Sequence, residues 1–400
     1  MTFPWFVRRV RKVARPVPEQ VPHPEKGYHR SRLPGTHQVN IDRIDTLLYR
    51  IPLPVPVQAA SHGVMREFDM VAVRIGSDSG PSGVGYTVLN AGHGNAVTAV
   101  VENAFRNRLQ GEDARRIEWL WNRLWRSHHY SGRGGLVSFA LAAVDSALWD
   151  MRGRALGEPL WRLLGGYRPE VRAYAGNIDL NFPMEQLLEG VRRSLDAGYR
   201  SVKMRLGRPL LREDVERVAA VRDLIGPDIE LMTDANEAWR PDEALRAFHA
   251  LRDFRLVWIE EPIRPDDFAG YARLRAQGGV PIAAGENLHT VAEFTALIGA
   301  GGVDFPEPDF TTCGGITPWM KIARLAEAHG LPVTSHGAHD VHVHLLAAVP
   351  NGAYLEVHGF GLDRFIAEPL QMRDGHAIAP DRPGHGVEFD WEALETYRVC

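Results

Sequence analysis

The chain contains 400 residues, enough for a closed α/β barrel of about 250 residues and one smaller domain. Hydrophobic residues make up 44% of the sequence and charged residues 24%, which excludes wholesale disorder and collagen-like structure. The net charge of −4 provides no general attraction to nucleic acid or anionic lipid. Because the sequence has only Cys313 and Cys400 and no apolar signal or membrane-spanning segment, we predict a cytoplasmic protein without nucleic-acid or membrane partners.

Residues 1–40 differ in composition from the rest of the chain. They contain eight Lys and Arg residues, two glutamates and six prolines, and show no sustained helical or strand period. Such a segment is compatible with an anion-binding or targeting arm, but no apolar run follows Arg8-Arg9, as an export signal requires. We therefore interpret it as a basic, proline-rich extension that packs on a neighbouring subunit or frays.

Residues 41–170 are predicted to form an α+β domain. Two strands are expected in IDTLLYRIPL and FDMVAVRIG, with a loop from Gln58 to Arg66 between them. After the glycine-rich GPSGVGY, a helical pattern begins near Asn95, and a longer helix is predicted in GLVSFALAAVDSALWDMRGRALG. The apolar positions of this helix recur from Leu136 to Leu148 at helical spacing, which predicts one buried stripe.

The pattern changes after residue 166, where short apolar runs begin to alternate with amphipathic helical segments. Most runs end in a charged or imidazole side chain, at intervals of 20–31 residues. This rhythm is typical of a (β/α)8-type barrel with its active site at the carboxyl ends of the strands. The eight predicted strands are VRAYAGN, SVKMRLG, IELMTDAN, LVWIEEP, VPIAAGEN, VDFPEPD, LPVTSHG and AYLEVHG.

Three carboxylates, Asp234, Glu260 and Glu286, end three consecutive predicted strands. In a barrel they would converge on one side of the mouth, where they cannot all remain ionised without a cation. Because their ligand atoms are hard oxygens and no cysteine or histidine ends these strands, Mg²⁺ is the best-matched ion. Separate surface ion pairs are the alternative, and three equivalent strand positions argue against it.

Two cations, Lys203 and Arg205, lie two residues apart in SVKMRLG, so both face the barrel interior while their apolar neighbours face the helices. The three carboxylates, one Mg²⁺, these two cations and one substrate carboxylate together have zero net charge. We therefore predict an anionic, small-molecule substrate. A structural ion-pair network without chemistry is the alternative.

An aspartate and a histidine, Asp309 and His336, end neighbouring predicted strands on the opposite arc. A carboxylate that accepts the Nδ1 proton of an imidazole orients the ring and leaves Nε2 free as a general base. Glu356, on the next strand, would hydrogen-bond to a substrate oxygen when protonated, or else be structural. We interpret three further histidines as ordinary or supporting helix residues: His339, His342 and His344.

Several longer motifs occur together in a fixed order. They are ALAAVDSALWDMRGRALGEPLWRLLGG, a K-x-R motif, TDAN, WIEEP, GEN, PDFTTCGG, SHG and YLE. With them, the chain from about Ile41 onward resembles the enolase superfamily, specifically its mandelate racemase-like subgroup. The resemblance implies an α/β fold with an N-terminal α+β capping domain (41–170), a modified TIM barrel, (β/α)7β (171–356), and a C-terminal segment (357–400) that returns to the cap.

The resemblance also implies an essential Mg²⁺, one per active site, and abstraction of the proton α to a carboxylate to give an enediolate held by the metal. Asn236 matches a residue that helps to hold the substrate carboxylate and the metal, and Lys203 matches an electrostatic neighbour. Arg205 departs from the subgroup, which has a second basic lysine there. The remaining matches are Asp234, Glu260 and Glu286 as metal ligands, Asp309 and His336 as the Asp-His dyad, and Glu356 as the electrophilic acid.

Arg205 favours one reaction class over another. Racemisation requires a base on each face of the α-carbon, and arginine is an extremely poor proton acceptor. We therefore predict dehydration of an aldonate or aldarate to a 2-keto-3-deoxy acid, with His336 first taking the α-proton and then protonating the β-hydroxyl. Racemisation or epimerisation with Lys203 as second base is the alternative, and a catalytically silent scaffold or binding protein is another. Cycloisomerisation is disfavoured, because family members that catalyse it use paired lysines and lack the dyad.

Substrate specificity is expected to lie in the loops of the cap. Gln58–Arg66 and Asn90–Asn95 should close over the barrel mouth, and their polar residues His62, Arg66 and His93 are candidate substrate contacts. The resemblance further implies a homo-oligomer, between a dimer and an octamer.

Overall fold

A computed structural model describes residues 38–60, 63–358 and 360–399. Residues 1–37 of the predicted extension lie outside the described residues, as do His62 and Cys400. Within the described ranges, no helix is long and apolar enough to cross a membrane.

The chain begins with a three-stranded antiparallel sheet in the order β1 (Ile41–Ala59), β2 (Gly63–Ser77) and β3 (Ser82–Asn90). The ladder between β1 and β2 extends to the pair Ala59 and Gly63, so most of the predicted Gln58–Arg66 loop is strand and that prediction was wrong. The predicted strand IDTLLYRIPL stopped at Leu53, and Pro54 and Pro56 concealed its continuation to Ala59. Because β1 lies at the sheet edge, it tolerates residues that lack a backbone N–H.

Strand β3 was missed because its glycines resemble a loop signal. Gly83 and Gly85 lie against the backbone of a long helix, where a Cβ atom on either would come within 2.2 Å of a carbonyl oxygen of that helix. Alternating glycines therefore mark the side of β3 on which the helix packs.

That helix, α4 (Leu136–Leu156), has the bounds that the sequence predicted. It is buried on nearly all sides instead of along one stripe, and its first residue, Leu136, is 40% exposed. Packing between the cap sheet and the barrel explains this burial, since α4 contacts both β3 and α11. The other cap helices are α1 (Gly94–Val100), which continues as a π-helical turn (Val101–Phe105), α2 (Arg106–Leu109), α3 (Ile117–His128) and α5 (Leu160–Leu163).

The second half of the chain alternates strands and helices, as predicted, and its strands pair in parallel from β4 to β9. The strands are β4 (Glu170–Gly176), β5 (Ser201–Arg205), β6 (Glu230–Asp234), β7 (Leu256–Glu260), β8 (Ile282–Ala284), β9 (Phe305–Pro306) and β10 (Tyr354–Val357). The helices are α6 (Met184–Asp196), α7 (Leu211–Ile225), α8 (Pro241–Leu251), α9 (Phe268–Gly278), α10 (Val291–Gly299), α11 (Ile316–Ala328) and α12 (His339–Ala347), with a 3₁₀ turn at Arg252–Phe254.

The run LPVTSHG forms only a single bridge, between Val333 and Gly352. Thr334 N–H donates to the carbonyl of Pro306 (3.0 Å), and Ala353 N–H donates to that of Val333 (2.8 Å). Hydrogen bonds therefore continue from β9 through this run toward β10, which pairs in parallel with β4. The fold is the modified TIM barrel with an N-terminal cap.

The end of the chain returns to both parts of the molecule. A hairpin of β11 (Gln371–Arg373) and β12 (His376–Ile378) pairs with β4, and Val399 N–H donates to the carbonyl of Leu48 in β1 (2.8 Å). A 3₁₀ turn (Leu362–Phe365) and α13 (Trp391–Glu395) complete the segment.

Asp145 of α4 makes the fold sensitive to pH where the cap meets the barrel. Its carboxylate accepts hydrogen bonds from the backbone N and Oγ1 of Thr317 at 2.8 and 2.7 Å, and burial raises its pKa to about 7. An acid whose pKa rises on folding holds its proton in the folded state, so stability falls as the pH rises from about 4 to about 7.

Asp145→Asn should therefore gain stability relative to the wild type as the pH rises from about 5 to about 8, by about 3 kcal/mol. Urea unfolding of both proteins across this range measures the difference. Asp253→Asn, whose side chain is 92% exposed, is the control and should show a constant difference. A difference for Asp145→Asn that does not change with pH would contradict the assignment.

Candidate active site

Three buried carboxylates meet at the carboxyl ends of adjacent strands. Asp234 ends β6, Glu260 ends β7 and Glu286 follows β8 by two residues. One oxygen from each lies within 4.8 Å of the others. Burial and the charge of Asp234 raise the pKa of Glu260 to about 8, which shows how strongly the charges repel. A compact set of hard oxygens with excess negative charge fits a divalent cation such as Mg²⁺.

Lys203 lies among these acids. Its side chain is fully buried, with Nζ 2.8 Å from Glu260 Oε1 and 2.6 Å from Glu356 Oε1. Burial lowers the lysine pKa, but the surrounding carboxylates outweigh it and hold the pKa well above its usual value. Its ammonium group therefore balances part of the negative charge of the acids.

Arg205 faces the cavity above the acids. Its Nη1 donates to Asp234 Oδ2 and to the amide oxygen of Asn236 (2.7 Å), while its backbone N–H donates to Asp179 (3.0 Å). The neighbouring carboxylates raise its pKa despite burial. Asn236 has a φ of 40°, a left-handed conformation that asparagine tolerates better than most residues. The structure thus brings Arg205 and Asn236 to the predicted place.

The Asp309 and His336 side chains are hydrogen-bonded. His336 Nδ1 is 3.0 Å from Asp309 Oδ2, and its Nε2 is 2.9 Å from Glu286 Oε2. Burial lowers the pKa of His336, but the charge of Glu286 and the bond to Asp309 raise it well above its usual range. Nε2 therefore points at the group of three carboxylates, with Asp309 orienting the ring from the opposite side.

Glu356 of β10 lies beside the dyad. Its Oε2 accepts the backbone N–H of Gly337 (3.0 Å). Burial raises its pKa, yet the charges of Lys203, His358 and His336 together outweigh burial and hold the pKa well below the usual value. The hydrogen bond to a substrate oxygen, which needs the protonated form, stays a prediction.

The cap covers a cavity above these residues with side chains that are mostly apolar. The predicted cap contacts Arg66 and His93 are exposed and do not line it, and His93 Nδ1 lies 3.2 Å from the carbonyl of Asn90. The third, His62, lies outside the described residues. The cavity is lined by Leu53, Met65, Glu67, Phe68, Val88, Leu89, Asn90 and Phe139 from the cap and by Ile178, Arg205, Asn236, Glu286, Asn287, Thr312, His336, His358 and Phe360.

His358 is a lining residue that the sequence analysis missed. Its Nε2 is 3.4 Å from Glu356 Oε2, and its ring centroid is 5.6 Å from that of His336. Burial lowers its pKa to about 4. It follows Glu356 by two residues, so strand alternation alone places both on one face and could have identified it.

The sequence matches two family models that together cover most of the chain. The mandelate racemase/muconate lactonizing enzyme N-terminal domain matches residues 43–165, and the enolase C-terminal domain-like model matches residues 186–393. The chain belongs to the mandelate racemase/muconate lactonizing enzyme family and is an enzyme of the enolase superfamily.

Its relatives include enzymes with two reaction names. A 3,6-anhydro-α-L-galactonate cycloisomerase from Streptomyces coelicolor is 48% identical over 90% of this chain and 99% of its own length. An L-talarate/galactarate dehydratase from Salmonella typhimurium is 35% identical over 90% of this chain and 92% of its own length.

Solved structures of relatives have the same fold. A racemase from Streptomyces coelicolor A3(2) with bound magnesium has a TM-score of 0.88 and 47% identity, covering 90% of this chain and all of the other. An L-talarate dehydratase from Polaromonas sp. JS666, complexed with Mg and L-glucarate, has a TM-score of 0.86 and 34% identity, covering 90% and 98%. Magnesium is thus the cofactor of the enzyme.

Asp234→Asn should abolish Mg²⁺ binding, measured by titration calorimetry without substrate, because it removes one charged ligand from the group of three. The fold should survive, since the residue lies at the catalytic end of the strand. Glu230→Gln, at the other end of the same strand, is the matched control and should keep the wild-type affinity. Wild-type Mg²⁺ affinity in Asp234→Asn would exclude the residue as a ligand.

Proposed function

We propose that the enzyme removes the proton α to the carboxylate of a sugar acid and expels the oxygen on the β-carbon, with His336 as the only base. The contact that carries this proposal is the 2.9 Å separation between His336 Nε2 and Glu286 Oε2. This distance places the imidazole next to the acids that would hold the metal and, through it, the substrate carboxylate.

Mg²⁺, when held by Asp234, Glu260 and Glu286, supplies positive charge that offsets the charge developing on the substrate carboxylate. Arg205 and Asn236 line the cavity next to these acids and are placed to donate hydrogen bonds to substrate oxygens. Asp309 orients His336 and raises its basicity.

A second base is not supported. Lys203 Nζ is bound to Glu260 and Glu356 and does not line the cavity, and the guanidinium of Arg205 donates to Asp234 and Asn236. One-base chemistry leaves elimination favoured over racemisation.

Elimination moves the same atoms in cyclic and acyclic substrates. His336 takes the proton from C2, the C2–C3 double bond forms and the C3–O bond breaks, and His336 returns the proton to the departing oxygen. The resulting enol becomes a 2-keto-3-deoxy acid. From an acyclic acid the oxygen leaves as water, which is dehydration, whereas in a 3,6-anhydro acid it remains attached as the C6 hydroxyl, which is cycloisomerisation.

We infer that a 3,6-anhydro sugar acid is the better fit. Apolar side chains dominate the cap side of the cavity. Its one charged cap side chain among the described lining residues, Glu67, is 48% exposed and lies 3.7 Å from Arg50. Such a lining suits a compact ring with few hydroxyls and offers no cation from the cap to the second carboxylate of an aldarate. The cycloisomerase relative at 48% identity supports the same substrate class. The argument from paired lysines against cycloisomerisation does not apply to this ring opening, since one dyad suffices.

Dehydration of an acyclic monocarboxylate, the reaction predicted from the sequence, is the second candidate. Relatives named D-galactonate dehydratase and arabinonate dehydratase, at 33% and 31% identity, favour it.

The test is incubation with Mg²⁺ and, separately, 3,6-anhydrogalactonate, galactonate and galactarate, followed by mass spectrometry of the keto acids. We expect the anhydro acid to give a product of unchanged mass with the highest kcat/KM, and galactarate to be the poorest substrate. If only galactonate reacts and its product is lighter by one water, dehydration is the correct reaction. If none of the three acids gives a keto acid, both candidate reactions are refuted.

His336→Asn should lose at least ~10²-fold in rate, the lower range for a general base. His376→Asn, on an exposed hairpin, is its control.

Arg205→Lys should keep the charge but lose the planar fork that bonds Asp234 and Asn236, so elimination should slow. Little proton exchange should appear on the face opposite His336, because a second base also needs a lowered pKa. Deuterium incorporation into recovered substrate in D₂O measures this proton exchange. Arg208→Lys is the control, because Arg208 donates to the Phe182 carbonyl instead. Substantial exchange by the wild type on that face would contradict one-base chemistry.

A further inference from the structure

His342 of α12 joins the two backbone segments that carry the dyad. The N–H of Phe310, the residue after Asp309, donates to His342 Nε2 (3.0 Å), and His342 Nδ1 lies 2.8 Å from the carbonyl of Gly337, the residue after His336. The side chain is fully buried, with its ring centroid 5.1 Å from that of Phe310.

These two partners define the proton position on the ring. A backbone N–H can only donate, so Nε2 of His342 must be the unprotonated acceptor. A carbonyl can only accept, so Nδ1 must carry the hydrogen. His342 is therefore neutral and in a single tautomer, which agrees with the lowering of its pKa by burial.

The dyad needs such a link because the sheet hardly extends to it. Strand β9 has two residues, and the next run forms one bridge. Among the described residues, the bond from Thr334 N–H to the Pro306 carbonyl is the last backbone hydrogen bond between the two segments. Asp309 and His336 both lie beyond it, where adjacent strands no longer hold their backbones at a set distance.

We infer that His342 is a positioning residue that replaces the missing ladder and fixes the distance between Asp309 and His336. The inference rests on the proposed function in so far as His336 is the base. Its hydrogen bonds orient the dyad through the backbone, and its ring does not line the cavity.

The chain provides a matched control in His344, two residues further along α12. It is also fully buried and also joins two backbone groups, since Trp161 N–H donates to its Nδ1 (3.3 Å) and its Nε2 lies 3.0 Å from the His385 carbonyl. Neither partner adjoins the dyad. His344→Phe should therefore match His342→Phe in loss of stability but not in loss of catalysis.

The experiment compares His342→Phe, His342→Asn, His342→Gln and His344→Phe. His342→Phe should lose about 10- to 100-fold in kcat with little change in KM, the signature of a misplaced base. Asparagine can keep the bond to the Gly337 carbonyl and glutamine the bond from Phe310 N–H, so both should recover part of the loss. Equal kcat in His342→Phe and His344→Phe, or no recovery with asparagine and glutamine, would overturn the inference.

A second measurement does not depend on turnover. In protein labelled with ¹⁵N-histidine, the wild-type His342 should show the neutral tautomer protonated at Nδ1. The hydrogen-bonded Nδ1 proton of His336 should be lost or shifted in His342→Phe and retained in His344→Phe. An unchanged His336 signal in His342→Phe refutes the positioning role, whereas inactivity of the wild type on every sugar acid refutes only the proposed function.

Discussion

Neutralisation of buried charge is the constraint on which this active site depends. When all of them are ionised, these buried carboxylates and cations have a net charge of −2. The carboxylates are Asp234, Glu260, Glu286 and Glu356, and the cations are Lys203 and Arg205. Isolated buried charge is costly, and a divalent cation held by Asp234, Glu260 and Glu286 would offset this excess. The same group of charges holds Lys203, since two of the acids lie within 2.8 Å of its Nζ.

Strand periodicity is the reason that much of the barrel and site could be predicted from the sequence. A polar residue at the end of an apolar run indicates that the run is a strand and marks its carboxyl end, where the active site lies, even where the strand is short. The run before His336 forms one bridge, yet its polar terminus marked it correctly. The same alternation would have found His358, because it lies two residues after Glu356.

The cap was harder to predict because its prolines and glycines, which usually indicate loops and turns, lie within strands. Prolines that suggested a loop lie in an edge strand, and glycines that suggested a turn allow α4 to approach β3 closely. Loop polarity also failed to locate substrate contacts, since Arg66 and His93 face solvent while Glu67 lines the cavity. Which way a loop side chain points depends on tertiary packing, which no period in the sequence encodes.

The division between barrel and cap has a consequence for the choice of reaction. In the proposed mechanism, His336, Asp309 and the three acids serve the same proton transfer whether the β-oxygen is a hydroxyl or part of a ring. The barrel residues therefore define the bond that breaks, and the cap defines which molecule presents that bond. On this proposal, cap side chains that line the cavity, such as Glu67 and Met65, distinguish a dehydratase from a cycloisomerase without any new catalytic group. Relatives with both reaction names and one fold are what such a division would produce.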